Sequence, residues 1–187
     1  MSRPVLACFA CLVSLIGAVN LRAQVSQAQR TSTVQPTFTQ PSPIDKIAAY
    51  SGSWKITIEH LDTPFSKAGK ETTNLHNDCW RSGGYFACNQ VVDGDSKVLI
   101  VFVYNAKEDS YTSYQIPPAG GPSGSGKLTI QGNTWTFPWE DTDGGKPIYF
   151  RVVNVFTAPD TIDYRQEFSR DKIQWTATAR GTEHKLP

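Results

Sequence analysis

From Trp54 onward the chain predicts an all-β fold, an antiparallel up-and-down β-barrel of about eight to ten strands with a short helical turn ahead of it. Three observations predict it. Apolar residues recur at every second position over most of this stretch. The links between such runs are short and made of turn residues. No segment of helical period separates them. Short links favour antiparallel neighbours, because a parallel crossover needs about a dozen residues or more. A meander of that size removes its unpaired edges by closing on itself.

The elements follow in order. Ser42-Pro43 and the apolar Ile44, Ile47 and Ala48 predict one or two helical turns, ending near Tyr50. Trp54, Ile56 and Ile58 then alternate with Lys55, Thr57 and Glu59 as a half-buried strand. Further runs cover 71–80, 85–92, 97–104, 111–116, 127–131, 134–140, 147–156, 161–168 and 172–179. Gly83-Gly84, Asp93-Gly94-Asp95, Gly132-Asn133, Asp143-Gly144-Gly145 and Pro159-Asp160 punctuate them. The longest link, Pro117 to Gly126, reads PPAGGPSGSG. In a barrel it lies at a rim, either as a mobile flap over the mouth or as a tolerated insertion.

The 187 residues allow one domain with appendages, and a formal net charge of +1 offers no basic stripe to a nucleic acid. Arg3, an apolar run over 4–19 and the small Ala23 before Gln24 have the three-part layout of a secretory signal over 1–23. Ser14 and Gly17 interrupt the run, which is short for a bilayer span; a retained anchor is the alternative. Residues 24–43, rich in Gln, Ser, Thr and Pro, read as a disordered linker, and 44–187 as the barrel domain. Removing 1–23 takes Arg3 and Arg22 from the 18 basic residues, leaving 16 against 17 acidic. No later run is apolar and long enough to span a membrane, so the processed chain is expected in the periplasm or outside the cell.

Of the four cysteines, Cys8 and Cys11 leave with the signal. If Gly83-Gly84 form a two-residue hairpin turn, counting back from it sets Cys79 opposite Cys88 in a non-hydrogen-bonded pair. Such pairs lie within disulfide reach, and an oxidising compartment favours the bond. It reads as a structural staple rather than a redox pair, since the spacing is not CxxC.

Gly52-Ser53-Trp54 opens the first strand, and Arg180-Gly181 stands near the end of the last. This pairing resembles the calycin superfamily, which includes the lipocalins. The resemblance implies that Trp54 plugs one end of the barrel and that Arg180 packs over it as a cation–π contact. Three further segments occur in order: Arg81-Ser-Gly-Gly-Tyr-Phe86, Tyr104-Asn-Ala-Lys-Glu-Asp-Ser-Tyr111, and Ala158-Pro-Asp with Tyr164 to Trp175. Together they resemble a bacterial family of secreted lipocalin-like proteins described only as a domain of unknown function. The resemblance covers about 44–185 and brings no catalytic residues with it.

Small barrels either fill with side chains or hold one ligand. The alternation turns inward a set rich in Trp and Tyr, whose polar tips suit an amphipathic molecule. From that set Ile58, Phe102, Tyr104, Trp135, Phe137, Phe150, Tyr164 and Trp175 are the candidate ligand contacts, and Ile173 is expected to face inward with them. The alternative is a packed core. Residues 97–104 are apolar on both faces, so their outer side needs cover from the 44–50 helix, from the linker, or from a second copy in a homodimer.

His60, His76 and His184 lie in different segments with no metal-ligand spacing, no GxSxG elbow occurs, and no cofactor is expected. Glu71, Asp78 and Glu167 fall within strands, with Arg81, Arg151 and Arg165 as partners, either as outer cross-strand pairs or as groups orienting a ligand. The favoured expectation is non-catalytic binding of a small apolar or amphipathic molecule. The alternatives are an enzyme acting on a lipid-like compound in the same cavity and a solid barrel that acts as a cell-envelope interaction module.

Overall fold

The computed structural model describes residues 42–120 and 124–187. The expected signal, most of the linker and the centre of the PPAGGPSGSG link lie outside the described residues.

A 3₁₀ helix, Pro43–Tyr50, leads into ten strands: β1 Gly52–His60, β2 Gly69–Ser82, β3 Tyr85–Val92, β4 Asp95–Asn105, β5 Ser110–Ile116, β6 Gly124–Gln131, β7 Thr134–Asp143, β8 Lys146–Ala158, β9 Thr161–Ser169 and β10 Thr176–Lys185. Each pairs antiparallel with its chain neighbours, and β1 pairs with β10 to close the barrel. The architecture is a closed antiparallel up-and-down barrel, as the sequence predicts.

The hairpin of β2 and β3 has the register that the glycine turn predicts, from Ser82↔Tyr85 to Cys79↔Cys88. Gly83 has a φ of 55°, the left-handed conformation such a turn requires. Cys79 and Cys88 form a disulfide with their Cα atoms 4.0 Å apart. The loop it closes is short, so the staple is local. Replacing both residues by alanine is expected to lower stability by about 2–3 kcal/mol with the barrel intact, read by urea denaturation and far-UV circular dichroism.

Ile44, Ile47 and Tyr50 stand three apart, and a 3₁₀ helix aligns such residues on one face. That face enters the barrel: Ile44 and Ile47 are buried against Phe86, Phe102, Leu128 and Trp135. Ala48, read from the sequence as part of the apolar face, is exposed because the period is three rather than 3.6. Asp45 accepts the Ser42 N–H at 2.9 Å and pairs with Arg81. The helix is therefore an internal plug. It does not cover the outer side of 97–104.

A second group, Trp54, Leu75 and Ile162, continues the packing above the plug. Trp54 is fully buried and donates its Nε1–H to the Tyr50 carbonyl at 3.1 Å. The cation over its ring is Lys185, 5.3 Å away and its direct partner across β1 and β10. Arg180, expected from the resemblance to take that place, instead donates to Glu59 at 2.8 Å on the outside. The physical reason is parity. Arg180 is opposite Glu59, one residue out of phase with the inward row that holds Ile58 and Gly181.

The last strand also departs from the expected 172–179 run. The Asp171 carboxylate accepts the N–H groups of Ile173 and Gln174, both at 2.8 Å, and Ser169 Oγ accepts those of Asp171 and Lys172. These side-chain acceptors satisfy the backbone that a strand would have paired, so 170–175 is a bend. Ile173, expected inside, is 81% exposed. At the other long link the correction has the opposite sense: β6 starts within the Gly/Ser stretch, with Gly124 opposite Gln115.

Candidate functional site

The plug packs the end of the barrel where the helix enters, the floor, and a group of polar side chains lies on the inner face beyond it. At the junction Tyr50 is held from three sides. Its carbonyl accepts Trp54 Nε1–H and Asn77 Nδ2–H, each at 3.1 Å, and its hydroxyl accepts Asn154 Nδ2–H. Its ring stacks on Trp135 with centroids 5.2 Å apart.

Register brings polar side chains onto this inner face. Glu183 is opposite Ile56 on β1 and Ile162 on β9, and Tyr164 is opposite Gly181 and Asn154. Asn77, Asn154 and Glu183 are buried, and each keeps one acceptor oxygen without a hydrogen-bond partner: Asn77 Oδ1, Asn154 Oδ1 and Glu183 Oε2. A buried acceptor left unpaired costs about 1–3 kcal/mol, so three of them concentrated on one face are an unusual load.

Burial shifts the acids of this group. It pushes the Glu183 carboxyl up to about 7. Tyr164 rises to about 12, first from burial and then from the nearby Glu183 and Glu71 carboxylates. Tyr50 rises well above its ordinary value, chiefly from burial and then from Glu183. Near neutral pH the cluster presents acceptor oxygens, two neutral phenols and one carboxyl at its midpoint. Its donors are the Tyr50 and Tyr164 hydroxyls, of which Tyr164 donates to Gln166 Oε1 at 3.1 Å.

Glu71 marks the rim above, paired with His60 Nε2 at 3.2 Å. Phe65, from the link between β1 and β2, reaches over the mouth to meet Phe150 and Phe168 edge-on, with centroids 5.4 and 4.7 Å away. Beside it Trp139 stacks on Phe150 at 5.3 Å. The wall has a weak seam here. β6 and β7 pair only through Thr129↔Thr136, Ile130↔Trp135 and Gln131↔Thr134. Beyond Thr136 the two strands pair only with their other neighbours, β5 and β8.

The predicted ligand contacts are not brought together in one place. Ile58 and Tyr164 flank Gly181 on the inner face, two residues along β10 from Glu183. Phe102 and Trp135 belong to the packed floor, with Phe137 and Tyr104 against it. Tyr104 is at the closed end, donating its hydroxyl to Asp109 at 2.8 Å. Phe150 is at the mouth. Trp175 is outside the barrel, its ring under the Arg151 guanidinium at 3.9 Å, because the 170–175 bend turns it onto the outward row of Arg151 and Glu167. Arg151 and Glu167 pair at 2.6 Å, on the outer face rather than in the lumen.

Three concave regions divide the same residues. One of about 480 Å³ lies at Gly181, includes Ile58 and Tyr164, and is lined mostly by outward residues such as Thr57, Asp163, Arg165 and Arg180. One of about 490 Å³ lies beside the helix and includes Trp135. One of about 330 Å³ lies under the 170–175 bend and includes Phe150 and Trp175.

Sequence reasoning missed Glu183, Asn77, Asn154, Tyr50 and Phe65. Glu183 sits two residues beyond Gly181 in a segment, Thr182 to Lys185, that was not read as strand. Had β10 been extended to its true end, the period of two would have turned a carboxylate inward. Among the described residues, no three His, Cys, Asp or Glu side chains converge as metal ligands.

No family model matches the chain, and no curated protein matches it in sequence. Among solved structures the chain is similar to Rv2717c from M. tuberculosis, at 9% identity and a TM-score of 0.45, over 78% of this chain and 98% of that one. It is also similar to the S-type phycobiliprotein lyase CPES from Guillardia theta, at 14% identity and a TM-score of 0.43, over 76% of this chain and 92% of that one.

Proposed function

We propose that the inner face beyond the plug binds a small amphipathic molecule without transforming it. The observation that supports this is the set of buried acceptors with no donor, Asn77 Oδ1, Asn154 Oδ1 and Glu183 Oε2, on one inner face. A ligand carrying hydroxyl or amine N–H groups would offset their desolvation, while its apolar body would lie along Ile58, Tyr164 and the aromatic mouth at Phe150. On this reading Phe102, Tyr104, Trp135 and Phe137 serve as floor, and Trp175 has no part in the site. The chain is then a secreted member of the lipocalin-like family its segments resemble, released by cleavage after residue 23. The Cys79–Cys88 disulfide is in keeping with an oxidising compartment, and among the described residues no helix is long and apolar enough to cross a membrane.

The test is native mass spectrometry of the chain purified from an oxidising compartment, before and after incubation with a bacterial lipid extract. The expected result is excess mass that disappears on denaturation and is absent from Ile58→Trp, which fills the lumen beside Tyr164. No excess mass after the lipid incubation would overturn the proposal. It would favour the solid-barrel reading, in which the packing of the floor extends to the mouth.

A further inference from the structure

The outer side of β2 to β5 carries most of the exposed large hydrophobic side chains among the described residues. Of the eight large hydrophobic side chains exposed among the described residues, five, Trp80, Tyr85, Val103, Tyr114 and Ile116, lie on this one face. Cross-strand pairing arranges it in rows. One row reads Trp80, Ala87, Val101, Tyr114 from β2 to β5. The next row, two residues along each strand, reads Ser82, Tyr85, Val103, Thr112. Trp80 and Tyr114 in the first row stand beside Ser82 and Thr112 in the second, Tyr85 in the second stands beside Ala87, and on β4 the neighbours are Val101 and Val103.

That alternation is self-complementary. A twofold axis parallel to the rows and midway between them lays each row on the other row of a second copy. Trp80 then meets the partner's Ser82, Val101 the partner's Val103, and Tyr114 the partner's Thr112, while Tyr85 lies over Ala87, which its own neighbours already bury. Trp80 and Tyr114 face short side chains and the two valines face each other, an arrangement that lets the two surfaces pack.

The electrostatics point the same way. Neither row carries a charge, and the lysines at the margin are already neutralised: Lys97 pairs with Asp95 at 3.2 Å and Lys127 with Glu108 at 3.3 Å. A face docking on an anionic lipid surface or an acidic partner would hold free cations instead. Four strands at about 4.8 Å, each five residues long, project roughly 300 Å². Standing side chains raise the accessible area to about 500 Å² per copy, or about 1,000 Å² in the pair, the size of a weak, transient interface. We propose that this face is a weak isologous homodimer interface, which buries the outer apolar side of β4 that the helix leaves open.

Sedimentation velocity on the full chain, from about 1 to 100 μM, spans the affinity range such an area supports. The expected result is a shift from one chain mass to two. Tyr114→Glu and Trp80→Glu alter exposed side chains and should stay monomeric throughout, with unchanged circular dichroism. The register is tested by exchange. Thr112→Tyr should abolish the dimer by meeting the partner's Tyr114, and Thr112→Tyr combined with Tyr114→Thr should restore it. A chain that is monomeric at the top concentration would overturn the proposal, as would glutamate variants that still dimerise. If the monomer instead floats with phosphatidylcholine vesicles and Tyr114→Glu does not, the face belongs to a membrane and the proposal fails.

Discussion

Trp54→Ala is expected to remove about 3–5 kcal/mol of stability, the range for deleting a large aromatic from a core. The side chain is fully buried, packs with Leu75 and Ile162, and approaches Tyr50 and Phe156 with centroids 6.3 and 6.4 Å away. It also holds the helix to β1 through the bond from Nε1–H to the Tyr50 carbonyl. Removing it opens a void between plug and wall and frees the carbonyl that positions Tyr50 beneath the polar cluster. Native stability of a domain is typically about 5–15 kcal/mol, so the variant should fold but melt well below the native chain. Trp54→Phe should recover much of the loss, because it refills volume without the N–H. Trp139→Ala is the control. That side chain is 42% exposed and should cost much less. Denaturant titration at constant pH measures all three.

The second large effect is pH-dependent. The Glu183 carboxyl is pushed up to about 7 by burial from its ordinary value of 4.5. Below about pH 4.5 it is protonated in both the folded and unfolded chain, and it takes nothing from stability. Between 4.5 and 7 the unfolded chain releases a proton that the barrel retains, so stability falls as pH rises. Above 7 the group is ionised in both states and the loss is constant, about 3 kcal/mol by linkage. Glu183→Gln keeps the shape and cannot ionise. It should be more stable than the native chain at pH 8 by roughly that amount and level with it near pH 4. Thermal melts of both proteins across pH 4–8 give the comparison, and parallel curves would show that Glu183 is not desolvated. Tyr164→Phe should leave the slope in place, since Tyr164 does not titrate in this window.

Much of the fold is legible in the residues. The period of two, the glycine turns and the short links predict the closed meander, and the Gly83-Gly84 turn predicts the Cys79–Cys88 bond by counting alone. These are local properties: alternation, turn chemistry and parity act within a dozen residues. The failures are local too. Lys172 and Ile173 read as strand by composition, yet Asp171 and Ser169 capture the backbone N–H groups and make a bend. That error shortened the last strand and hid Glu183.

Tertiary structure decided the rest. At Gly181 a Cβ would collide with the Thr57 carbonyl oxygen, so closure of β1 on β10 depends on a backbone approach that nothing in the spacing announces. Whether an inward aromatic joins the floor, as Trp135 does, or rings the mouth, as Phe150 does, depends on where the helix enters and which strands it meets. By itself the sequence determined, outside the 170–175 bend, which face of each strand turns inward and where the chain reverses. Which inward residues share a neighbourhood, and so where unpaired oxygens collect, depends on strand stagger and on the plug. Alternation assigns a side chain to a face. Only the pairing of strands distant in the chain assigns it a height along the barrel.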